Sequence, residues 1–329
     1  MPATIRDVAK AAGVSVATVS REMNGADNVL PETRARILAA AAELRFTPSG
    51  AARSLITRRT DTICALLPDL HGEYFSELIR GIDQAARTRG LHLLVSSSHG
   101  DAKEAAAALR AMSGRVDGLI VMSPHADAEF LSLNLPQGLP AVLVNSGAPH
   151  RGHSSWEVDN LGGARAMAAH LATRGHRRIA FVAGPDENHE ARERLRGWRA
   201  GVPEAQRGPV IAGDFTEESG WAAGRAIAAM AERPDAVFAA NDMMAIGCLA
   251  ALAEAGLRVP DDIALAGFDD IPIARYVSPA LSTVRVGIAE LGRRALEGLA
   301  GTLDDPQHAG ERHDTLPTEL VIRKSCGPG

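Results

Sequence analysis

Residues 4–23 read TIRDVAKAAGVSVATVSREM, and this stretch decides the fold of the N-terminal part of the chain. Thr4 has a side chain that caps helices, and the apolar residues after it recur at helical spacing. We therefore predict a first helix over Ile5–Ala12. The tight turn Gly13-Val14-Ser15, in which glycine accepts a positive φ, ends on a capping serine and leads into a second predicted helix, Val16–Met23.

A third helix is predicted over Pro31–Leu44, because proline suits the first helical position and an apolar face follows it. Its inward-facing residues are predicted to be Ile37, Leu38, Ala41 and Leu44. Asn24-Gly25 ends the second helix with turn chemistry. Two helices joined by a glycine-containing turn form a helix-turn-helix, whose second helix fits the DNA major groove. A small helical bundle that packs on the rest of the chain is the alternative.

The formal charge of −5 over 329 residues is unevenly distributed. Residues 1–60 carry nine basic and five acidic side chains, so this part has a surplus of four positive charges and the rest has a net charge of −9. A basic N-terminal part indicates contact with a polyanion such as DNA, and chance variation over a short segment is the alternative.

The composition indicates a globular, soluble protein. With 46% apolar residues the chain can bury a core, which excludes wholesale disorder. Cys64, Cys248 and Cys326 are too few and too scattered for a disulfide framework or a thiolate metal site. The polar N-terminus argues against a secretory signal, and no apolar run is long enough to cross a bilayer. We expect a cytoplasmic protein with no cofactor, no metal and no membrane partner.

The rest of the chain alternates between strand-like and helix-like segments. Strands are predicted at Thr62–Leu67, Leu91–Ser96, Gly118–Met122, Ala141–Val144, Ile179–Ala183, Ala236–Ala240 and Ile263–Gly267. Helices are predicted at Ser76–Arg89, Ala102–Met112, Leu161–Arg174, Ala191–Ala200, Glu218–Ala231 and Met243–Ala255. This alternation predicts an α/β body of parallel sheets covered by helices, and its two similar series indicate two lobes with a cleft between them.

Polar and aromatic side chains follow several of these strands, where open parallel sheets bind ligands. The candidates for a ligand pocket are Asp69, Tyr74, Phe75, Glu190, Arg194, Phe215, Asn241, Asp242 and Asp269. Carboxylates and amides bind hydroxyl groups, and aromatic faces stack on sugars or bases. Each candidate has a structural alternative, since the aspartates and the asparagine can cap helices and the aromatic residues can belong to the core.

The segments 4–21, Asn24-Gly25, Glu32-Thr-Arg34 and Pro48-Ser-Gly-Ala-Ala-Arg-Ser-Leu55 closely resemble the head and hinge of the lactose/galactose repressor (LacI/GalR) family of bacterial transcription regulators. The resemblance covers nearly the whole chain. It implies a helix-turn-helix domain at 1–48, a hinge at 49–60 and a body at 61–329 that is similar to periplasmic sugar-binding proteins. Its N-lobe would span about 61–159 and 287–314, its C-lobe about 160–286 and 315–329. We place the crossings near Asp159, Val286 and Thr315.

The resemblance also implies which residues bind double-stranded operator DNA. Arg21 can donate a bidentate pair to guanine, whereas Val16 and Ala17 offer apolar contact. The hinge Ser49–Ile56 is too short to be a stable helix alone and should fold on DNA, where Leu55 wedges into the minor groove. The implied DNA-binding residues are Thr4, Ser15, Val16, Ala17, Thr18, Ser20, Arg21, Asn24, Arg53 and Leu55.

In the body, the resemblance implies that the pocket candidates bind a small-molecule effector, either a sugar or a nucleoside-like compound. The abundant carboxylates favour a neutral polyol, so we expect a sugar. His71-Gly72-Glu73 departs from the Asn-Pro that the family often has beside the aromatic pair, and Glu73 faces either the ligand or the solvent. Trp156 is a further candidate for the cleft wall.

The resemblance therefore predicts a homodimeric repressor whose operator affinity is controlled by the effector. A sugar- or nucleotide-processing α/β enzyme with a helical appendage is the alternative, but the chain contains none of the common catalytic motifs that we sought. His150 and His153 indicate a solvated loop rather than a zinc site, because no third ligand is nearby in the sequence.

Overall fold

The computed structural model describes residues 3–23, 28–47, 59–123, 128–147, 152–305 and 311–327. The chain divides into two compact units, Met1–Asp61 and Thr62–Gly329, which we call the head and the body. The predicted hinge helix lies outside the described residues, as do the predicted DNA-binding residues Asn24, Arg53 and Leu55. Within the described ranges, no helix combines the length and the apolar composition that a membrane span requires.

The head contains the three predicted helices. They are α1 (Ile5–Ala12), α2 (Val16–Met23) and α3 (Pro31–Glu43). Val8, Val19 and Ile37 are fully buried where the helices meet, so the apolar faces of all three contribute to one small core. Two predicted core positions are wrong: Leu38 is 51% exposed and Leu44 is 36% exposed. The helix instead buries Ala40 beside Ala41, because only a narrow stripe of α3 contacts α1 and α2.

The first lobe of the body, the N-lobe, is built on a six-stranded parallel sheet. In spatial order its strands are β11 (His313–Leu316), β5 (Ser154–Val158), β4 (Ala141–Val144), β3 (Gly118–Val121), β1 (Thr62–Leu67) and β2 (His92–Ser97). Its helices are α4 (Glu73–Thr88), α5 (Ala102–Ala111), α6 (Ala128–Asn134) and α11 (Ile288–Asp304). Helices α4 and α11 pack against each other, and α11 also packs on β3, β4 and β5.

The second lobe, the C-lobe, has a four-stranded parallel sheet in the order β7 (Arg207–Ile211), β6 (Ile179–Val182), β8 (Ala236–Ala239) and β9 (Ala264–Ala266). Its helices are α7 (Asn160–Thr173), α8 (His189–Gly201), α9 (Glu217–Ala228) and α10 (Asp242–Glu254). An antiparallel pair, β10 (Thr283–Arg285) and β12 (Glu319–Val321), completes it. Phe181 packs on Trp198 and Phe238, with ring centroids 5.5 Å apart in both pairs. The α/β prediction with parallel sheets in two lobes is confirmed.

The chain passes between the lobes at three places. Asp159 joins β5 to α7, and Val286-Gly287 joins β10 to α11. The third crossing was expected near Thr315, but Thr315 pairs with Glu157 and so belongs to the N-lobe sheet. This crossing therefore falls at Pro317-Thr318, between β11 and β12.

Candidate functional site

The head presents an exposed surface on α2. Ser15 caps this helix, because its hydroxyl oxygen accepts a hydrogen bond from the Thr18 amide at 3.1 Å and lies 2.8 Å from the Thr18 hydroxyl. Val16 is 42% exposed, and Ala17 and Arg21 are exposed as well. A capped helix with an arginine and small apolar groups on its free face is suited to groove reading.

Thr4 also occupies its predicted place, at the start of α1. Its backbone amide and its hydroxyl both donate to one Asp7 carboxylate oxygen, at 2.9 and 2.7 Å. These two hydrogen bonds lower the pKa of Asp7. Thr4 therefore stabilises the first turn of the helix, and its hydroxyl proton is committed to Asp7.

The body contains a cavity of about 460 Å³ between the lobes, at the carboxyl ends of their strands. Eight of the nine predicted pocket residues line it, and only Asp242 does not. They are Asp69, Tyr74, Phe75, Glu190, Arg194, Phe215, Asn241 and Asp269. Asp69 accepts hydrogen bonds from the Leu70 and His71 amides, at 2.6 and 3.1 Å, which stabilise the loop after β1.

Arg194 is the central cation of the cavity and is only 3% exposed. Its Nε donates to Asn160 Oδ1 at 2.8 Å, and its Nη1 donates to the Ala240 carbonyl at 2.7 Å. Nη1 also lies 3.1 Å from Asp269 Oδ1, and Nη2 lies 3.4 Å from Glu190 Oε1. These contacts hold the guanidinium in one place, so it serves as a fixed wall of the cavity.

The ring of Phe268 covers the Arg194 guanidinium, with the carbon Cζ 4.0 Å from the ring centroid. Phe215 lies further away, 5.8 Å from Cζ to its centroid. A cation close to aromatic rings is stabilised by their π-electrons, and the burial of Arg194 shields it from water.

Glu190 and Asp269 are the two buried carboxyls beside this cation, 8% and 4% exposed. Burial raises the pKa of Glu190 to about 7; Arg194 opposes the shift, and the charges of Asp269 and Glu157 add to it. Burial likewise raises the pKa of Asp269 to about 6 against the effect of Arg194. One arginine does not fully compensate two buried carboxylates, so the cavity is rich in negative charge and in hydrogen-bond acceptors.

Asn145 is a further residue of the site that the sequence analysis did not identify, although it directly follows β4. Its Nδ2 donates to Glu190 Oε1 at 2.8 Å and to the Tyr74 hydroxyl at 3.1 Å, so it joins the N-lobe to the C-lobe. Burial and the nearby negative charges raise the pKa of Tyr74. Asn145 Oδ1 is buried and has no hydrogen-bond partner among the described residues. Because ligands bind beyond the carboxyl ends of parallel strands, the position of Asn145 directly after β4 indicates a pocket residue as well.

Three non-glycine residues at this site have a left-handed backbone. The φ angles are 50° at Asn145, 73° at Phe215 and 113° at Asp269. Such conformations are costly for residues with a side chain and concentrate at binding sites, where the fold holds them in place.

Asn241 and Asp242 have different roles from each other. Asn241 lines the cavity and also caps α10, with Oδ1 accepting from the Met244 amide and Nδ2 donating to the Phe215 carbonyl. The pocket prediction for Asp242 is wrong: it is fully buried and accepts from the Thr283 hydroxyl at 2.6 Å and the Ile271 amide at 3.0 Å. Its carboxylate is turned away from the cavity by these partners and ties α10 to β10.

Trp156 and Glu73 also differ from expectation. Trp156 is not a cleft wall, because it is 2% exposed and its ring lies against Gly298 of α11 in the N-lobe core. Glu73 was expected to face either the ligand or the solvent. Its carboxylate instead accepts a hydrogen bond from the Ile273 amide of the C-lobe at 2.7 Å. The described ranges contain no group of three or more His, Cys, Asp or Glu side chains arranged to hold a metal, and His150 lies outside them.

Comparison with known proteins gives matches along the whole chain. Residues 4–49 match the family described as bacterial regulatory proteins, lacI family, and residues 168–326 match the periplasmic binding protein-like domain. The HTH-type transcriptional repressor PurR of Erwinia tasmaniensis is 36% identical, over 99% of this chain and 98% of its own length. The PurR repressor of Photobacterium profundum is also 36% identical, over 98% of both chains.

Solved structures show the same architecture. The Lac repressor dimer bound to operator and the anti-inducer ONPF superposes with a TM-score of 0.88 at 29% identity and covers all of both chains. The transcriptional regulator CelR in complex with cellobiose has a TM-score of 0.72 at 31% identity, over 98% of this chain and 99% of its own.

Proposed function

The chain belongs to the lacI family of bacterial regulatory proteins, and we propose that a small polar effector in the cavity between its lobes controls its affinity for operator DNA. Its relatives are repressors, not enzymes, and the chain is a DNA-binding transcriptional repressor. The observation that carries the proposal is the cavity itself, whose polar side chains come from both lobes.

The positions of those side chains explain how effector binding can control the affinity for operator DNA. Asn145 of the N-lobe bonds to Glu190 of the C-lobe, so the site is complete only when the lobes are close together. An effector that contacts both lobes binds the closed body better than the open one and shifts the population towards it. In a homodimer, that shift changes the relation of the two N-lobes and hence the pairing of the hinges on DNA.

A homodimer is supported by the Lac repressor dimer and by exposed apolar residues of the N-lobe. Leu94 and Val95 lie on the edge strand β2, and Leu94 is 45% exposed. An exposed apolar edge strand in a soluble protein is a common site of association.

We propose that Arg21 reads a guanine of the operator. Arg21→Ala should therefore lower the discrimination between an operator selected in vitro and a scrambled duplex by about 1–3 kcal/mol. Fluorescence anisotropy at one fixed salt concentration measures both affinities. Arg36→Ala, an exposed arginine of α3, is the matched control and should change both affinities alike. An unchanged ratio for Arg21→Ala would contradict the assignment.

We propose a sugar as the effector, because the cavity favours a neutral donor of hydrogen bonds. Among the described residues that line it, Arg194 is the one arginine and there is no lysine, whereas six are acidic. The acidic ones are Asp69, Glu187, Glu190, Asp214, Glu217 and Asp269. The complex of the structurally similar regulator CelR with cellobiose supports a sugar as the effector. A nucleobase is the second candidate, because the name of the PurR relatives and the aromatic residues Tyr74, Phe75 and Phe215 favour it.

A thermal-shift panel distinguishes the two classes. Cellobiose, ribose and other neutral sugars are compared with adenine and hypoxanthine, and we expect a sugar to raise the unfolding midpoint. A ligand at a hundred times its Kd stabilises the native body by about 2.7 kcal/mol. Phe215→Ala should lose the shift, and the exposed Val210→Ala of β7 should keep it. Shifts produced by the purines alone would overturn the sugar assignment.

A further inference from the structure

In the consecutive N-lobe residues His71-Gly72-Glu73, the first and the last contact two different elements of the C-lobe, and Gly72 lies near a third. His71 and Gly72 end the loop between β1 and α4 at the rim of the effector cavity, and Glu73 is the first residue of α4. His71 lies beside the start of α9, Gly72 lies near Met243 in the first turn of α10, and Glu73 reaches the 3-10 turn Pro272–Arg275.

The contact of Glu73 is a hydrogen bond between the lobes. Its Oε2 accepts from the Ile273 amide at 2.7 Å, across 200 residues of sequence. Ile273 lies in the first turn of its 3-10 helix, where backbone amides have no partner within the helix. The amide needs an external acceptor, and a carboxylate is a strong one. When the lobes separate, only water can replace it.

His71 makes the second contact. Its Nε2 lies 3.5 Å from Glu217 Oε2 at the start of α9. That oxygen is buried and has no hydrogen-bond partner within the described part of the chain, so the imidazole is positioned to satisfy it as the cleft tightens.

Gly72 supplies the backbone conformation that the loop needs between His71 and Glu73. Its φ is 89°, a left-handed conformation that favours glycine, and a Cβ there would lie 3.7 Å from the Met243 side chain. Met243 lines the cavity beside it. The turn therefore runs along the C-lobe without a side chain of its own at the middle position.

We propose that His71-Gly72-Glu73 is a latch that holds the two lobes together over the effector cavity. Glu73 and His71 act as positioning residues: they set how far the cleft opens, and Glu73 does so without touching the ligand. The latch operates in the free protein and does not depend on whether the effector is a sugar or a nucleobase.

Amide hydrogen exchange of the full chain, with no ligand added, tests the latch. In Glu73→Ala the Ile273 amide should exchange about tenfold faster or more, because it loses its charged acceptor. The cavity segments 185–190 and 214–217, which Glu73 does not contact, should also exchange faster as the cleft opens. Glu73→Gln keeps an acceptor oxygen and should remain within about threefold of wild type.

Glu77→Ala is the matched control, because Glu77 lies one turn further along α4 and pairs with Arg80 within the N-lobe. It should leave Ile273 and both cavity segments unchanged. Faster exchange at Ile273 alone would show a local hydrogen bond and overturn the latch. Unchanged exchange everywhere in Glu73→Ala would overturn the interlobe bond as well. Both results are obtained without an effector. The latch can therefore fail while the effector proposal holds, and the reverse is also true.

Discussion

Replacing Arg194 by methionine is expected to lower the free energy of unfolding of the body by about 3–5 kcal/mol. Methionine preserves much of the volume of the side chain but removes the cation. Asp269 and Glu190 then remain buried without an opposite charge, and Asn160 Oδ1 and the Ala240 carbonyl each lose a donor. Breaking a buried ion pair from one side is costly because the remaining charge stays desolvated.

The loss should depend on pH. At pH 5 both carboxyls can take up a proton, which removes much of the unpaired charge. At pH 8 both are ionised in the unfolded chain, and the full cost of burying their charges opposes folding. Urea unfolding at the two pH values measures the difference, followed by tryptophan fluorescence, to which Trp198 on the same helix as Arg194 contributes.

Arg196→Met provides the control for Arg194→Met. Arg196 lies on the same helix, is exposed and pairs with Glu193, so its removal should cost less than about 1 kcal/mol. Equal stability of the Arg194 and Arg196 variants would contradict the central role of Arg194. Arg194→Lys should fall between wild type and methionine, because an ammonium cannot reproduce the planar set of donors.

The helices of the head could be predicted from the sequence almost to the residue, because their ends carry local chemical signals. Thr4 and Ser15 are capping residues, and Pro31 suits only the start of a helix. The exposure of Leu38 could not be predicted in the same way. Whether a leucine beside the buried stripe of a helix is covered depends on neighbours that are distant in sequence.

The pocket shows the same division between local and non-local information. The rule that ligands bind at strand ends predicts Arg194 and Asp269 as pocket residues, and it applies equally to Asn145. The same rule cannot tell which way a side chain turns, so it wrongly places Asp242 in the cavity, although the Asp242 carboxylate accepts a hydrogen bond from Thr283. Its direction is set by β10, forty-one residues away, and no periodicity near Asp242 indicates that contact.

The hydrogen bond between Glu73 and Ile273 is even less predictable from local sequence, because the two residues are 200 positions apart and belong to different lobes. The sequence showed only that His71-Gly72-Glu73 is unusual for the family that it resembles. The contact with Ile273 depends on the placement of both lobes, which no local pattern near Glu73 encodes.

Glu190→Gln is expected to stabilise the body at pH 8 and to leave its stability nearly unchanged at pH 4.5. The pKa of Glu190 is raised from 4.5 to about 7 in the folded protein, chiefly by burial. As the pH rises through this range, the unfolded chain ionises first and gains stability over the folded one, and above pH 7 the full cost is present. At about 1.4 kcal/mol for each pKa unit, that cost is on the order of 3 kcal/mol.

Glutamine resembles the protonated carboxyl in shape and keeps an oxygen that can accept from Asn145, so the variant avoids the cost of ionisation without opening a cavity. Urea unfolding at intervals between pH 4.5 and 8 should show the variant and wild type diverging as the pH rises, with most of the divergence below pH 7. Glu193→Gln, three residues along the same helix and paired with Arg196, should follow the wild-type curve closely. A Glu190→Gln variant that is less stable than wild type at pH 8 would mean that the attraction of Arg194 exceeds the cost of burying the charge. The cavity would then be a compensated ion-pair site, and the preference for a neutral donor of hydrogen bonds would lose its basis.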